Sequence, residues 1–194
     1  MLEEEYETDR RRLPRHLRKQ AAPEAPFEYR IRPATKRDLP EVREIYNHYV
    51  ANTVVTFDER PSTHAYWRDR HARLMKRNLP FLVAESPAGH LLGFAYVWLW
   101  REKSAYRHTG EVSIYLGPAS TGKGLGTALL GELIAASKAA GLKELLAVIA
   151  DGGAEASVAL HRKHGFTEAG RLGKVGYKFG RWVGTIVMQR SLRR

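Results

Sequence analysis

Ser120-Thr121-Gly122-Lys123-Gly124-Leu125-Gly126, followed by Thr127-Ala128-Leu129-Leu130, is the stretch on which the fold turns. Ahead of it the alternating segment from Glu111 to Leu116 predicts a strand. Behind it Leu125, Leu129, Leu130, Leu133 and Ile134 form one apolar stripe, which predicts an amphipathic helix to about Ala140. No carboxylate occurs in that helix before Glu132, so its start is left electrically positive. Free N–H groups, glycines that let a ligand reach the backbone, and Lys123 together predict a site for a phosphate or pyrophosphate. A nucleotide P-loop does not fit. From Gly117 the spacing Gly-x4-Gly-Lys is present, but Gly124 stands where the magnesium-binding hydroxyl belongs. A dinucleotide fingerprint fits no better, because Gly-x-Gly-x-Gly here follows the fourth predicted strand and no acidic partner is evident downstream. The plain alternative is a Gly-rich connection without a ligand.

Toward the N-terminus, Leu91 to Arg101 and Phe81 to Glu85 read as a β-hairpin across Pro87-Ala88-Gly89. Before it lie a helix at about Thr63 to Arg77, a loop through Phe57 and Pro61, and a helix ending near Asn52. Thr35, three residues ahead of Asp38, opens that earlier helix as a variant capping box, and Tyr29 and Ile31 alternate as the first strand. Toward the C-terminus come a strand Glu144 to Ile149, a helix from about Ala154 to His164, and strands near Phe166 to Leu172 and Val183 to Arg190. The order βααββ, βαβα, ββ predicts an α/β fold, a mixed sheet with helices on both faces, because each amphipathic helix must cover apolar sheet. Residues 1–27 read as a charged extension interrupted by Pro14, Pro23 and Pro26, with a short helix at about Pro14 to Gln20, and residues 28–194 read as one domain.

Charge is unevenly placed. The chain nets +11 at pH 7, residues 1–30 net zero, and residues 161–194 carry nine Lys/Arg against Glu168 alone. That asymmetry suits a polyanionic partner, whether nucleic acid, an acidic membrane or a phosphate-rich cofactor, or simply a solvated basic face. No apolar run approaches the roughly 18–20 residues that cross a bilayer, and the N-terminus is packed with Glu and Arg instead of carrying a signal region. Cysteine is absent, which excludes disulfides and thiol catalysis. These features predict a cytoplasmic location.

The Gly122 to Leu130 stretch resembles the coenzyme A pyrophosphate loop of the GNAT superfamily of N-acetyltransferases, and within it the phosphinothricin and methionine sulfoximine acetyltransferases. The resemblance runs from about Tyr29 to Leu192. Its earlier pieces are Glu44-Ile45-Tyr46-Asn47-His48-Tyr49, the Thr56-Phe57 loop and Ala105 to Glu111. Its later ones are Ser157 to His161, His164-Gly165-Phe166 and Val175 to Trp182. It implies a sheet splayed open at its centre, with the pantetheine arm of acetyl-coenzyme A between the strands at Glu111 to Leu116 and Glu144 to Ile149. It further implies that Ile114, Tyr115, Leu116 and Ser157 line the cofactor site, with Thr121, Gly122, Lys123, Gly124, Leu125 and Gly126 on the pyrophosphate, and that the protein is a homodimer. The sequence departs from the pattern at Thr121, where Arg or Gln is usual, at Ala154, where Asn often stands, and at Gly184, where Asp follows Arg-Trp-x.

Acetyl transfer needs a neutral amine. At pH 7 deprotonation costs about 4.6 kcal/mol for a lysine-like amine and about 1.4 for an α-amine of pKa ~8, so a base should contact the amine. Glu111 is the first candidate, because the resemblance sets it beside the acetyl group and strand alternation puts Glu111, Ser113 and Tyr115 on one face. An exposed carboxylate paired with Arg107 is its plain alternative. His161 is the second candidate. It shares a helix face with Ser157 and His164, at a position where many relatives carry a Tyr acid. A zinc site on His161 and His164 lacks a third ligand, and no metal is expected. Arg107 and Thr109, just ahead of Glu111, are placed to clasp a substrate carboxylate, and Phe57 to wall the side-chain pocket.

The expected reaction is direct transfer from acetyl-coenzyme A to a small amino-acid-like amine in a ternary complex. The rivals are acetylation of a protein N-terminus, an aminoglycoside or a polyamine, and a catalytically degenerate coenzyme A binder. The last two amines call for an acid-lined site, whereas this chain is basic where it is biased. Nucleic-acid binding through the C-terminal basic stretch, with Tyr177, Phe179 and Trp182 interleaved, is not expected, because the family resemblance already accounts for that stretch. Membrane binding is not expected either.

Overall fold

The computed structural model describes residues 27–193. The helix expected at Pro14 to Gln20 lies outside them. Strand β1 (Arg30–Pro33) leads through a single 3-10 turn, Lys36–Asp38, into α1 (Leu39–Asn52), and α2 (His64–Lys76) follows. Then come β2 (Phe81–Glu85), β3 (Leu91–Leu99), β4 (Thr109–Leu116), α3 (Leu125–Ala139), β5 (Glu144–Ala150), α4 (Glu155–Lys163), β6 (Thr167–Lys178) and β7 (Arg181–Ser191). The seven strands form one sheet in the order β1-β2-β3-β4-β5-β7-β6.

The local signals act as expected at the starts of the first two helices. Thr35 and Asp38 complete a reciprocal capping box, and Pro40 at the start of α1 costs nothing there because the N–H it lacks would be unpaired. Thr63 caps α2 by accepting from the Tyr66 N–H at 3.1 Å. The α3 stripe faces inward, with Leu125, Leu129, Leu130 and Leu133 fully buried. On the opposite face of the sheet, α2 inserts Trp67 against Phe94 and Tyr96 of β3, and α1 sets Tyr46 and Tyr49 against Tyr115 of β4. Among the described residues, no helix is long and apolar enough to cross a membrane.

The C-terminal hairpin is longer than its apolar pattern implies. The expected strands at Phe166 to Leu172 and Val183 to Arg190 are joined by continued pairing to Tyr177↔Trp182 and Lys178↔Arg181. A register shift between Leu172 and Gly176, with Lys174 at φ 53°, absorbs the extra residues, and alternation is lost at that bulge.

One feature decides the function. Strand β4 pairs with β3 over its whole length, from Gly110↔Leu99 to Leu116↔Gly93, and β5 pairs with β7 from Glu144↔Ser191 to Ala150↔Thr185. Between them, the parallel β4–β5 pairing consists of Thr109↔Glu144, Gly110↔Leu145 and Glu111↔Leu146 alone. Beyond Glu111 the sheet is open.

The β1 edge of the sheet is pinned electrostatically. Arg32 donates to both carboxylate oxygens of Asp38, at 2.8 Å each, and its Nε to Glu85 at 2.9 Å. Burial works to raise the Asp38 pKa, but the bonds from Arg32 and from Thr35 outweigh it and hold the carboxyl below its usual range. A depressed carboxyl stabilises the fold above its unfolded-state pKa and stops doing so as pH falls through the folded value. Asp38→Asn should therefore cost about 2 kcal/mol near neutrality, with the two stability curves converging in acid. Denaturant unfolding at pH 7 and in acid checks this; equal stabilities at pH 7 would overturn it.

Candidate active site

The opening between β4 and β5 holds a cavity of about 240 Å³. Glu111 to Tyr115 form one wall and Ala147 to Ala150 the other. Val55, Thr56 and Phe57, Ser157 and His161 of α4, and Gly152, Gly153, Ala154 and Thr185 complete the lining. From Val112 to Leu116 the backbone edge of β4 that faces this space has no strand partner. Such groups must bond to water or ligand.

Glu111 sits where the pairing ends. The register sets it opposite Trp98, with Ser113 opposite Tyr96 and Tyr115 opposite Phe94, so the expected face alternation holds. Its carboxylate accepts no hydrogen bond and makes no ion pair among the described residues. Burial raises its pKa, while the charges of Arg70 and Arg101 pull the other way. A carboxyl raised in this manner and left with open lone pairs is suited to general-base work near neutrality. The suggested partner Arg107 is elsewhere: it is exposed, and its Nη1 donates to the Ser104 carbonyl at 3.2 Å. Neither Arg107 nor Thr109 lines the cavity, and Thr109 lies at the foot of β4 opposite Glu144.

His161 is buried, and its Nδ1 lies 2.8 Å from the Ser157 carbonyl. A carbonyl can only accept, so Nδ1 carries the proton and Nε2 presents a lone pair. That Nε2 is buried without a partner. Burial lowers the His161 pKa, against the Ser157 carbonyl, which raises it. The ring is therefore a neutral acceptor.

The Gly-rich turn has the geometry of an anion cradle. Gly122 and Gly124 take φ 74° and 82°, and a Cβ at either would meet nothing within 4 Å. Space is left for a ligand. Gly124 is the N-cap of α3 with no side-chain cap bond and no acid in the first turn, so the leading N–H groups are free for phosphate oxygens. Lys123 places Nζ 5.0 Å from the Phe27 ring, which sets the start of the described chain against this loop. Gly126 has a packing role instead: a Cβ there would stand 3.4 Å from Leu116 and 3.5 Å from Leu160. Leu125 is buried and anchors the helix. These residues fit a coenzyme A pyrophosphate.

The expected pocket wall at Phe57 is held by contacts that sequence alone did not assign. Lys178 is buried, its pKa lowered by burial, and its Nζ donates to the Thr56 carbonyl at 2.8 Å. Phe57 lies flat on Gly176, where a Cβ would meet the ring at 2.6 Å. Tyr46 hydrogen-bonds Thr56 at 2.9 Å and donates to Asp58 at 2.6 Å. The Val55–Phe57 wall is thus held from both sides. Two of the three departures from the family pattern are structurally local. Thr121 donates to the Pro118 carbonyl at 3.0 Å, and Ala154 is a buried N-cap without a side-chain bond. At Gly184 any side chain would run into the Asp151 carboxylate, which accepts from the Gly184 N–H at 2.9 Å.

A centrally splayed mixed sheet with a free strand edge, a carboxylate at the vertex and an anion cradle at a helix start defines an acyl-carrier-dependent transferase. Comparison with known proteins gives the family. Residues 31–187 match the acetyltransferase (GNAT) domain. The chain is 43% identical over 162 residues to a phosphinothricin N-acetyltransferase of Alcaligenes faecalis, covering 84% of this chain and 82% of that one. It is 41% identical over 165 residues to an L-methionine sulfoximine/L-methionine sulfone acetyltransferase of Pseudomonas aeruginosa, covering 84% and 94%. The crystal structure of a phosphinothricin acetyltransferase from Sinorhizobium meliloti in complex with acetyl-coenzyme A superposes with a TM-score of 0.81 at 41% identity, covering 84% and 88%. The chain belongs to the GNAT acetyltransferase family, and it is an acetyl-coenzyme A-dependent N-acetyltransferase.

Gly124→Val tests the cradle. A side chain at φ 82° is strained by about 1–2 kcal/mol and projects into the ligand's space. Acetyl-coenzyme A affinity by calorimetry should fall at least about tenfold, equivalent to ~1.4 kcal/mol. Unchanged affinity in a folded variant would remove the pyrophosphate from this loop.

Proposed function

We propose that the chain acetylates the amine of a small amino-acid-like molecule of the phosphinothricin or methionine sulfoximine type by direct transfer in a ternary complex. The observation that carries this reading is the single cavity into which both the unbonded Glu111 carboxylate and the free edge of β4 open. Acetyl-coenzyme A, the co-substrate, supplies the activated acyl group. Glu111 takes the ammonium proton, directly or through water, and so frees the nitrogen lone pair. The freed nitrogen bonds to the thioester carbon while unpartnered N–H groups on β4 near Leu116 hold the acyl oxygen as it becomes negative; the C–S bond then breaks, and coenzyme A leaves as the thiolate and takes up a proton. His161, which also lines this cavity, is the second candidate acceptor through its unpartnered Nε2. Arg107 is exposed and held through a single carbonyl, which leaves its guanidinium free to reach a substrate carboxylate.

The division into an extension, residues 1–27, and a transferase domain, residues 28–194, is supported by the family match over 31–187. We assign the reaction to the cytoplasm, with the ordinary metabolic supply of acetyl-coenzyme A, and we assign no nucleic-acid or membrane partner. A second copy of the chain is the proposed partner. The support is the 12-residue β6, an edge strand exposed along most of its length, with Leu172, Val175, Tyr177, Phe179 and Trp182 all at least half-exposed on the β6–β7 hairpin. Edges and apolar patches of this kind call for a cover. Sedimentation should give a dimer, and Trp182→Glu a folded monomer; a monomeric parent protein would overturn the assignment.

A thiol-release screen tests the substrate class. Turnover is expected with phosphinothricin or methionine sulfoximine, whereas turnover with peptides or aminoglycosides alone would refute the reading. With an accepted amine, Glu111→Gln should lower kcat at neutral pH by about 100 to 10,000-fold while acetyl-coenzyme A affinity stays put. Raising the pH should restore part of the loss, since more amine is then already neutral. Near-parental turnover at pH 7 would transfer the role to His161.

A further inference from the structure

Arg70, on α2, is the cation with the strongest pull on Glu111, yet it does not touch that residue. Its guanidinium lies 5.0, 5.1 and 4.8 Å from the ring centroids of Tyr66, Tyr96 and Trp98, and its Nη1 donates to the Tyr96 hydroxyl at 2.5 Å. Three aromatic faces and one hydroxyl fix its position. Among the described residues no carboxylate comes within ion-pair distance, so the positive charge is uncompensated. The β3–β4 register puts Trp98 directly opposite Glu111 and Tyr96 opposite Ser113 on the same face of the sheet. The Trp98 ring on which the guanidinium packs therefore belongs to the residue paired with Glu111.

The geometry points to Arg70 as a positioning residue that holds Glu111 in its carboxylate form without occupying its oxygens. This rests on the reading of Glu111 as the base. An arginine in direct contact would also favour the anion, but its N–H groups would cover the lone pairs that must take the amine proton. An arginine one ring away supplies the field and leaves the oxygens open. Arg70 is half-buried among its three rings, so its field is screened less than that of the second cation, Arg101, which is exposed just beyond β3. The remaining groups around Glu111 do not substitute for it. Tyr96 on the same face accepts from Arg70 itself, Ser113 and Tyr115 carry no charge, and the His161 ring is a neutral acceptor; Asp58 accepts from Tyr46, Lys178 donates to the Thr56 carbonyl and Asp151 accepts from the Gly184 N–H.

The sign follows directly. Burial raises the Glu111 pKa and Arg70 opposes it, so removing the charge lets the pKa climb further and leaves less carboxylate at neutral pH. Arg70→Met should shift the acid limb of the kcat/KM profile to higher pH, with the high-pH plateau and acetyl-coenzyme A affinity preserved. Arg70→Lys, which keeps a cation, should restore the limb most of the way, and Arg101→Gln should move it less than Arg70→Met. Carbon-13 titration of the Glu111 carboxyl reads the same change without turnover, and Arg70→Gln serves where the Met variant does not fold. A Glu111 carboxyl that titrates identically with and without the Arg70 charge overturns the proposal. A displaced titration beside an unmoved acid limb upholds Arg70's effect and instead refutes Glu111 as the base.

Discussion

Strand β4 cannot keep both neighbours. It is bonded to β3 from end to end, its last carbonyl is taken by the Tyr49 hydroxyl at 2.7 Å, and the following Gly117 N–H donates to the Leu92 carbonyl at 2.8 Å. On the other side, β5 is bonded to β7 throughout. Each strand is thereby committed to its outer half of the sheet, and the right-handed twist accumulated in each half carries the two apart after three residue pairs. The unpaired edge that results would cost free energy in a closed core. Beside a cavity open to solvent it becomes a row of donors and acceptors that a bound amide or carbonyl can satisfy. Binding capacity is built into the sheet, not added to it.

Alternation along β4 then distributes the chemistry. The residues that share a face with Phe94, Tyr96 and Trp98, namely Tyr115, Ser113 and Glu111, look toward α1 and α2, while Val112, Ile114 and Leu116 look toward α3 and α4. The anion cradle at the start of α3 therefore serves one side of the opening, and the carboxylate at the vertex serves the other. Two reactants can enter from opposite faces and meet between the strands. The electrostatics agree with that division: the helix start offers uncovered N–H groups and Lys123, whereas the other side offers the half-buried Glu111 carboxylate opposite Trp98. His161, with its proton directed to Ser157, adds a second acceptor to the same space.

Much of this was legible in the chain because the deciding signals are local. The α3 stripe, the Thr35–Asp38 box and the glycines of the cradle act through neighbours within a turn or two, and each appears where its pattern puts it. The family resemblance located Glu111, Phe57 and His161, and all three line the cavity. What stayed hidden depends on contacts distant in sequence. Arg70, over thirty residues away, reaches the neighbourhood of Glu111 only because α2 packs on β3. Lys178 and Gly176 are mid-strand residues of no special pattern until Thr56 and Phe57 fold onto them. The full length of β6 was likewise hidden, since a bulge at Lys174 breaks the alternation that marks a strand.

Position 184 shows why a departure from a family pattern has to be weighed in three dimensions. The glycine there leaves a gap on β7 where the pattern has an acid, and sequence comparison alone counts that acid as lost. In the folded chain the gap is occupied by the Asp151 carboxylate, reaching across from the end of β5 to the Gly184 N–H at 2.9 Å. A side chain at 184 would collide with that carboxylate and stand 2.6 Å from the Leu172 carbonyl. Glycine at 184 and aspartate at 151 are therefore one arrangement, not two independent residues. β5 and β7 are paired through Ala150↔Thr185 immediately beside it, and Gly152 and Gly153, which follow Asp151, belong to the cavity wall. The glycine thus lets the Asp151 carboxylate close on the β7 backbone at this corner of the site, a contact that any side chain at 184 would displace.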